Sequence, residues 1–183
     1  MEKIVFLDRD GTVSRDSIDH IKSWDEFHFL PHAKEGIRIL CNAGFHIIFI
    51  TNQSVIARGM TTLEELDFIH DNMVQELEEY GCKIEKIYYC PHHPDDNCDC
   101  RKPKPGLLLK AIAEYSITPE KAYMVGDRIM DVQVGKKARC KTVLIENERG
   151  LQELKEQQLQ PDHIAKDLAD AAVWIIDDYM KNQ

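Results

Sequence analysis

The sequence predicts a doubly wound α/β fold built on a mainly parallel, Rossmann-like sheet. Three observations predict it. Short, almost continuous apolar runs recur along the chain, as expected of parallel strands buried on both faces. Segments of helical periodicity separate these runs, so strand and helix alternate. Finally, 183 residues, 43% of them hydrophobic, suffice for one domain with its own core, and a single domain over residues 1–183 is expected.

The elements follow in order. Residues 3–7, rich in Ile, Val, Phe and Leu, read as the first strand. Residues 33–43 form a helix with Ile37 and Leu40 on one face and Gly44 as its stop. A second strand covers 46–50. The helix over 63–80 is the best defined: Leu66, Ile69, Met73, Leu77 and Tyr80 share one stripe, and Thr62 with Glu65 makes a capping box. A strand over 86–89 follows, and Pro105 opens the next helix, where its missing N–H is harmless. Strands over 121–125 and 142–145, with helices over 129–138 and 168–179, complete the pattern. The irregular stretches are 12–31 and 90–104. Loops that long inside a compact domain are usually functional.

Charge narrows the partners. Lys plus Arg number 23 against 32 Asp plus Glu, a net charge of −9, which disfavours nucleic acid and anionic membrane surfaces. No apolar run reaches the length of a membrane span. The chain starts Met1-Glu2-Lys3 and enters a strand without an apolar leader segment, so a cytoplasmic protein is expected. The expected partner is a small molecule, and the expected state is a monomer. Of the cysteines, Cys41, Cys82 and Cys140 are scattered and read as small buried or half-buried hydrophobes.

In a doubly wound sheet the ligand lies beyond the carboxyl ends of the strands. The residues there are Asp8 to Thr12, Thr51 to Gln53, Cys90 onward to Lys102, and Gly126-Asp127. Asp8 and Asp10 are two nearby carboxylates that can hold a hard cation or divide nucleophilic and acid/base work. Gly11 permits a sharp turn that leaves N–H groups facing an anion. Asp127 and Asp131 bring further negative charge, and so many carboxylates require a bridging cation such as Mg²⁺. Either acidic pair alone would be ordinary turn chemistry. Both pairs at strand ends, with Thr51 and Lys102 added, read as an active site.

On these residues the sequence resembles the haloacid dehalogenase superfamily of phosphotransferases. The motifs stand in order as Phe6-Leu7-Asp8-Arg9-Asp10-Gly11-Thr12, Ile50-Thr51-Asn52-Gln53, Lys102 within Arg101-Lys102-Pro103-Lys104-Pro105, and Gly126-Asp127 with Asp131. The resemblance implies that Asp8 is the nucleophile and Asp10 the general acid/base. It also implies that Thr51 and Lys102 hold the transferring phosphoryl group and that Asp8, Asp10 and Asp127 hold Mg²⁺. The segments Thr51 to Gly59, Cys90 to Pro94 and Cys98 to Pro103 resemble more narrowly the heptose bisphosphate phosphatases, over residues 4–145. That resemblance implies a sugar-phosphate substrate losing its 7-phosphate, with substrate contacts from Asp16, Ser17, Ile18, Asp19, Asn52, Gln53, Ser54, Arg101 and Arg128. Two residues depart from that group: Val55 stands where Gly is frequent, and Arg128 where Lys is common, which keeps the charge but not the donor shape.

The spacing of Cys90, His92, Cys98 and Cys100, C-x-H-x5-C-x-C, suits a closed tetrahedral Zn²⁺ site of structural type. His93 is an alternative imidazole, and the resemblance favours His92. Zinc there would fix a loop that ends on Arg101 and Lys102, with Arg101 reading the non-reacting end of the substrate. There is no room for a large cap domain after either the first or the second motif, which leaves an open site for a small polar substrate. Three other functions fit parts of the pattern. Histidinol phosphatases share the aspartates, Thr51, the zinc pattern and Lys102. A phospho-Asp receiver module needs a similar cluster, but its Asp follows the third strand and it has no zinc loop. A zinc-dependent interaction protein with a dead site would not need a complete acid/base set.

Overall fold

The computed structural model describes residues 3–182. The chain runs β1 (Ile4–Leu7), α1 (Ala33–Asn42), β2 (His46–Asn52), α2 (Leu63–Glu79), β3 (Ile84–Cys90), α3 (Gly106–Glu114), β4 (Ala122–Gly126), α4 (Ile129–Lys137), β5 (Lys141–Ile145), α5 (Glu148–Gln157), β6 (His163–Ala165) and α6 (Leu168–Lys181). The strands form one sheet in the order β3-β2-β1-β4-β5-β6, with every pairing parallel.

The continuous apolar strands have a simple cause. Successive side chains point to opposite faces, and both faces are covered. Val5, Leu7, Ile47, Phe49, Tyr123 and Val125 face α1, α2 and α6, packing with Ile37, Leu40, Ile69, Met73 and Ile175. Ile4, Phe6, Ile48, Ile50 and Met124 face the other way, packing with Leu108 and Ala111 of α3 and Val134 of α4. Truncating one of these buried Leu, Ile or Met side chains to Ala would cost about 2–5 kcal/mol.

The helix boundaries follow local chemistry. At the start of α2, Thr62 Oγ1 accepts the Glu65 N–H at 3.2 Å. Leu66, Ile69, Met73 and Leu77 are buried, whereas Tyr80 is 41% exposed because the helix has already ended at Glu79. Gly44, at φ +82°, follows the end of α1. Pro105 sits one residue before the first helical residue, Gly106. Two elements were not anticipated, α5 and β6. Cys82 and Cys140 are buried and Cys41 half-buried, as expected of small hydrophobes.

Strand register positions the site. Leu7 pairs with Phe49 of β2 and Val125 of β4, so the carboxyl ends of β1, β2 and β4 lie side by side. Here the strand order reverses direction, β1 leading to β2 on one side and β4 lying on the other. The segment after β1 holds only a 3-10 turn at Trp24–Glu26 and bridges joining Ser14 to Asp10 and Phe29. It is pinned by buried Val13, Ile21 and Phe27, and the segment after β2 holds only turns, so neither carries a large cap. Among the described residues no helix is long and apolar enough to cross a membrane.

Candidate active site

Asp8 continues β1, its N–H bonded to Val125 O at 3.0 Å. Its carboxylate is nearly buried at the floor of a cleft of about 380 Å³. Lys102 Nζ stands 2.8 Å from Asp8 Oδ1 and 2.6 Å from Asp131 Oδ1, with the lysine only 2% exposed. Asn52, at the end of β2, fixes the lysine's backbone: its Oδ1 accepts Lys102 N–H at 3.0 Å and its Nδ2 donates to Lys102 O at 3.2 Å. Asp131 in the first turn of α4 accepts Arg128 N–H at 3.1 Å through its other oxygen.

Asp8, Asp127 and Asp131 each bring a carboxylate oxygen within 4.8 Å of the others. Two glycines make that approach possible. A Cβ on Gly11, at φ +88°, would lie 2.2 Å from Asp127 Oδ2, and a Cβ on Gly126 would lie 2.2 Å from Asp131 Cγ. Three acids share one lysine, so the cluster is under-compensated. Burial, then the Asp8 and Asp131 charges, push Asp127 up to about 8. Burial raises Asp8 to about 6 against the pull of Lys102. Burial alone would lower the Lys102 pKa, but Asp131 and Asp8 hold it above the ordinary lysine range. Asp127 Oδ1 is buried with no hydrogen-bond partner. A buried, unpaired carboxylate oxygen beside two further carboxylates is what an oxygen-seeking divalent cation would satisfy.

Asp10 lies in different surroundings. Arg9 Nε donates to its Oδ1 at 2.8 Å and Arg9 Nη2 to its Oδ2 at 2.9 Å. Gln53 Nε2 donates to Oδ2 and Ser14 Oγ to Oδ1, both at 2.9 Å. Burial pushes this acid up, but the Arg9 charge and these hydrogen bonds outweigh it and leave Asp10 below the usual carboxylate range.

The cysteine loop leaves β3 and crosses toward the cleft. Cys100 Sγ lies 3.1 Å from Cys90 Sγ and 3.5 Å from Cys98 Sγ, and His92 Nδ1 lies 3.1 Å from Cys100 Sγ. Ligands about 2.3 Å from a tetrahedral Zn²⁺ would be separated by similar edges, so these four atoms could hold one. His93 is occupied otherwise: its Nδ1 accepts Asp95 N–H and caps the 3-10 turn Pro94–Asp96. The imidazole left open by spacing alone is therefore His92.

The HAD-hydrolase-like family model matches residues 99–171. The D-glycero-D-manno-heptose-1,7-bisphosphate 7-phosphatase of Chlorobaculum tepidum is 37% identical over 95% of this chain and 94% of its own. The D-glycero-beta-D-manno-heptose-1,7-bisphosphate 7-phosphatase of Pseudomonas aeruginosa is 38% identical over 92% of this chain and 95% of its own. The chain belongs to this phosphatase family. Among solved structures, the B. bronchiseptica D,D-heptose 1,7-bisphosphate phosphatase, complexed with magnesium and phosphate, superposes with a TM-score of 0.91 at 35% identity, over 96% of this chain and 99% of that one. The fold is therefore of haloacid dehalogenase type, and the chain is a phosphatase.

Within this family fold, Asp8, Asp10, Asp16, Ser17, Ile18, Thr51, Asn52, Ser54, Arg101, Lys102 and Arg128 all line the one cleft. Four expectations fare differently. Gln53, expected to touch substrate, is buried at 2% exposure, its amide spent on Asp10, Thr51 and Arg9. Asp19 is exposed and off the cleft, its N–H bonded to Ser17 Oγ. The Asp10 carboxylate stands outside the acidic cluster, whose third member is Asp131. Arg128 reaches the cleft but is clasped by Glu153, which also accepts the Ile129 N–H. Sequence reasoning did not single out Arg9, His70, Arg149 or Glu153. Arg149 lines the cleft and pairs with Glu153 at 3.3 Å. The signal for that pair is the i,i+4 spacing on α5, legible only once α5 is known to be a helix.

Proposed function

We propose that this chain removes the 7-phosphate of D-glycero-D-manno-heptose 1,7-bisphosphate through an aspartyl-phosphate on Asp8. The observation that carries the proposal is the Asp8 carboxylate on the cleft floor, held by buried Lys102 beside the unpartnered Asp127 oxygen. The activity named for the relatives supplies the substrate.

The residues divide the work. Asp8 Oδ attacks phosphorus in line, forming the aspartyl P–O bond as the sugar O–P bond breaks. Asp10 gives a proton to the leaving sugar oxygen from its protonated form, the minor one at neutral pH because Arg9 and its other donors hold its pKa low, then takes one from the water that hydrolyses the aspartyl-phosphate, releasing inorganic phosphate. Lys102 and Thr51 bind the equatorial phosphoryl oxygens. Asp8, Asp127 and Asp131 are the residues that would hold Mg²⁺. When bound, it neutralises charge shared by the carboxylates and the phosphoryl group. Cys90, His92, Cys98 and Cys100 would hold Zn²⁺ as a closed structural site, and its place in the loop puts Arg101 and Lys102 at the cleft.

The 1-phosphate would meet the arginines that line the cleft, Arg101 first, since Arg128 and Arg149 are already paired with Glu153. A dianion bound there positions the far ester for attack, so its loss lowers kcat/KM and does more than raise KM. Histidinol phosphate offers an ammonium and an imidazole to the same cations. The test is kcat/KM for both anomers of heptose bisphosphate, for heptose 7-phosphate and for histidinol phosphate, with wild type and Arg101→Ala. The bisphosphate is expected to be best and to suffer most from Arg101→Ala. Histidinol phosphate emerging as the best substrate would overturn the reading.

A further inference from the structure

Arg9 is the largest fully buried side chain of the described residues, at 0% exposure. A guanidinium removed from water is costly unless its donors are all met, and an ion pair so placed is weak evidence of stabilisation. Four of its five N–H groups have named partners. Nε and Nη2 fork onto the two oxygens of Asp10, Nη2 also donates to Gln53 Oε1 at 2.9 Å, and Nη1 lies 3.1 Å from His70 Nε2. A guanidinium only donates, so His70 Nε2 is the acceptor and the imidazole is neutral with its proton on Nδ1. His70 comes from the middle of α2 and is itself buried. Phe27 closes one face of the guanidinium, its ring centroid 6.0 Å away. Gln53 completes the frame by donating to Asp10 Oδ2 and to Thr51 Oγ1, at 2.9 and 3.0 Å.

We propose that Arg9 and His70 are positioning residues for the reaction: His70 locks the guanidinium from behind, and the guanidinium fixes the plane of the Asp10 carboxylate so that its cleft-facing edge meets the leaving oxygen. The inference rests on Asp10 being the general acid/base. The Asp10 side chain lines the cleft and keeps 23% of its surface exposed, while four donors fill the lone-pair sites of its two oxygens and block rotation about χ2; the Ser14 hydroxyl can turn from donor to acceptor and free Oδ1 for the proton. Proton transfer depends steeply on such alignment. Neither Arg9 nor His70 lines the cleft, so neither acts on the substrate directly.

Leaving-group dependence distinguishes positioning from a merely structural role. kcat/KM reports steps only through formation of the aspartyl-phosphate. A sugar alkoxide needs a proton to leave, whereas 4-nitrophenolate departs without one. The experiment compares kcat/KM for heptose bisphosphate and for 4-nitrophenyl phosphate in wild type, Asp10→Asn, Arg9→Met, His70→Leu and His70→Gln, each checked for folding by circular dichroism and melting. Asp10→Asn and Arg9→Met are expected to lower the sugar phosphate by about 10²–10³ and the nitrophenyl ester by less than about threefold. His70→Leu removes the acceptor and should give the same selective loss, about tenfold, while His70→Gln, which retains an acceptor oxygen, should bring it back to within about threefold. If Asp10→Asn shows the selective loss but folded His70→Leu lowers both substrates alike, or neither, the positioning role is wrong. If Asp10→Asn itself shows no selectivity, the acid/base reading fails and the positioning role falls with it. Should Arg9→Met not fold, the two His70 variants decide.

Discussion

Asp8 and Asp10 stand two positions apart on one turn, yet their surroundings push them in opposite directions. Asp8 is raised to about 6 by burial, then by other carboxylates, against Lys102, while Asp10 is held low because Arg9 and its hydrogen-bond donors outweigh burial. Asp8→Asn should therefore abolish turnover and phosphoenzyme formation, whereas Asp10→Asn should leave a residual rate about 10²–10⁴ below wild type. Rapid-quench detection of the acid-stable phosphoprotein checks both, and near-normal turnover in Asp8→Asn would remove the covalent route. Asp8 and Asp127 were legible in the sequence because each directly follows an apolar run that ends at the same sheet edge, and Asp131 because it stands four positions after Asp127, in the first turn of α4. What surrounds Asp10 was not: His70 and Gln53 lie 61 and 44 residues from Arg9, and no periodicity connects them. The inward turn of the Gln53 amide was hidden for the same reason, since adjacency to Thr51 says nothing about which way the amide turns.

At the scale of elements, strands buried on both faces and helices with a clear apolar stripe could be read directly, while α5 and β6 could not. The apolar residues that α5 buries or half-buries are only Leu151 and Leu154 among ten, so its periodicity is faint. β6 has three residues and pairs only with β5, too short a run to stand out. The cysteine loop carried its own signal in ligand spacing. Its consequence is mechanical: between β3 and α3 the only regular structure is the turn Pro94–Asp96, and this stretch must deliver Lys102 to the Asn52 amide. Cys98→Ser is expected to lose one tightly bound zinc and lower the melting temperature, because binding the metal is also folding the loop. Catalysis should fall with it as Lys102 loses its fixed place. Elemental analysis, calorimetry and kcat on the same preparation test this, and a zinc-free protein with full stability and activity would refute it.

For the whole molecule, the under-compensated acids couple stability to both pH and Mg²⁺. Burial and the neighbouring carboxylates push Asp127 up to about 8 and Asp8 up to about 6, well above the ordinary carboxylate range. A raised carboxylate contributes stability below its unfolded pKa and loses it as pH rises through the folded one. Metal-free protein should thus become less stable as pH climbs toward and past 8, the Asp127 value, with the Asp8 contribution already spent above 6. His70 works at the other end. Burial, then Arg9, lower it to about 3, so its contribution is present above the ordinary imidazole value of 6.5 and is lost only as pH falls below that. Asp10, held low, likewise contributes a constant amount at neutral pH. Between about pH 6.5 and 9 the exposed His32, raised by its hydrogen bond to Glu35, also titrates, so Asp127 is isolated only by the difference between wild type and Asp127→Asn. A cation held by Asp8, Asp127 and Asp131 prefers the ionised cluster, so it should displace the Asp127 proton, and its stabilisation should grow with pH across that window. The measurement is the melting temperature of zinc-loaded protein with and without Mg²⁺ at several pH values, for wild type and Asp127→Asn. In wild type the Mg²⁺-induced rise should steepen with pH. In Asp127→Asn the Mg²⁺-free protein should be more stable at the alkaline end, because the repelling charge is gone, and the pH dependence of the Mg²⁺ effect should flatten. A Mg²⁺ effect of equal size at every pH, or one unaltered in the variant, would mean that Asp127 is not the residue linking proton and metal.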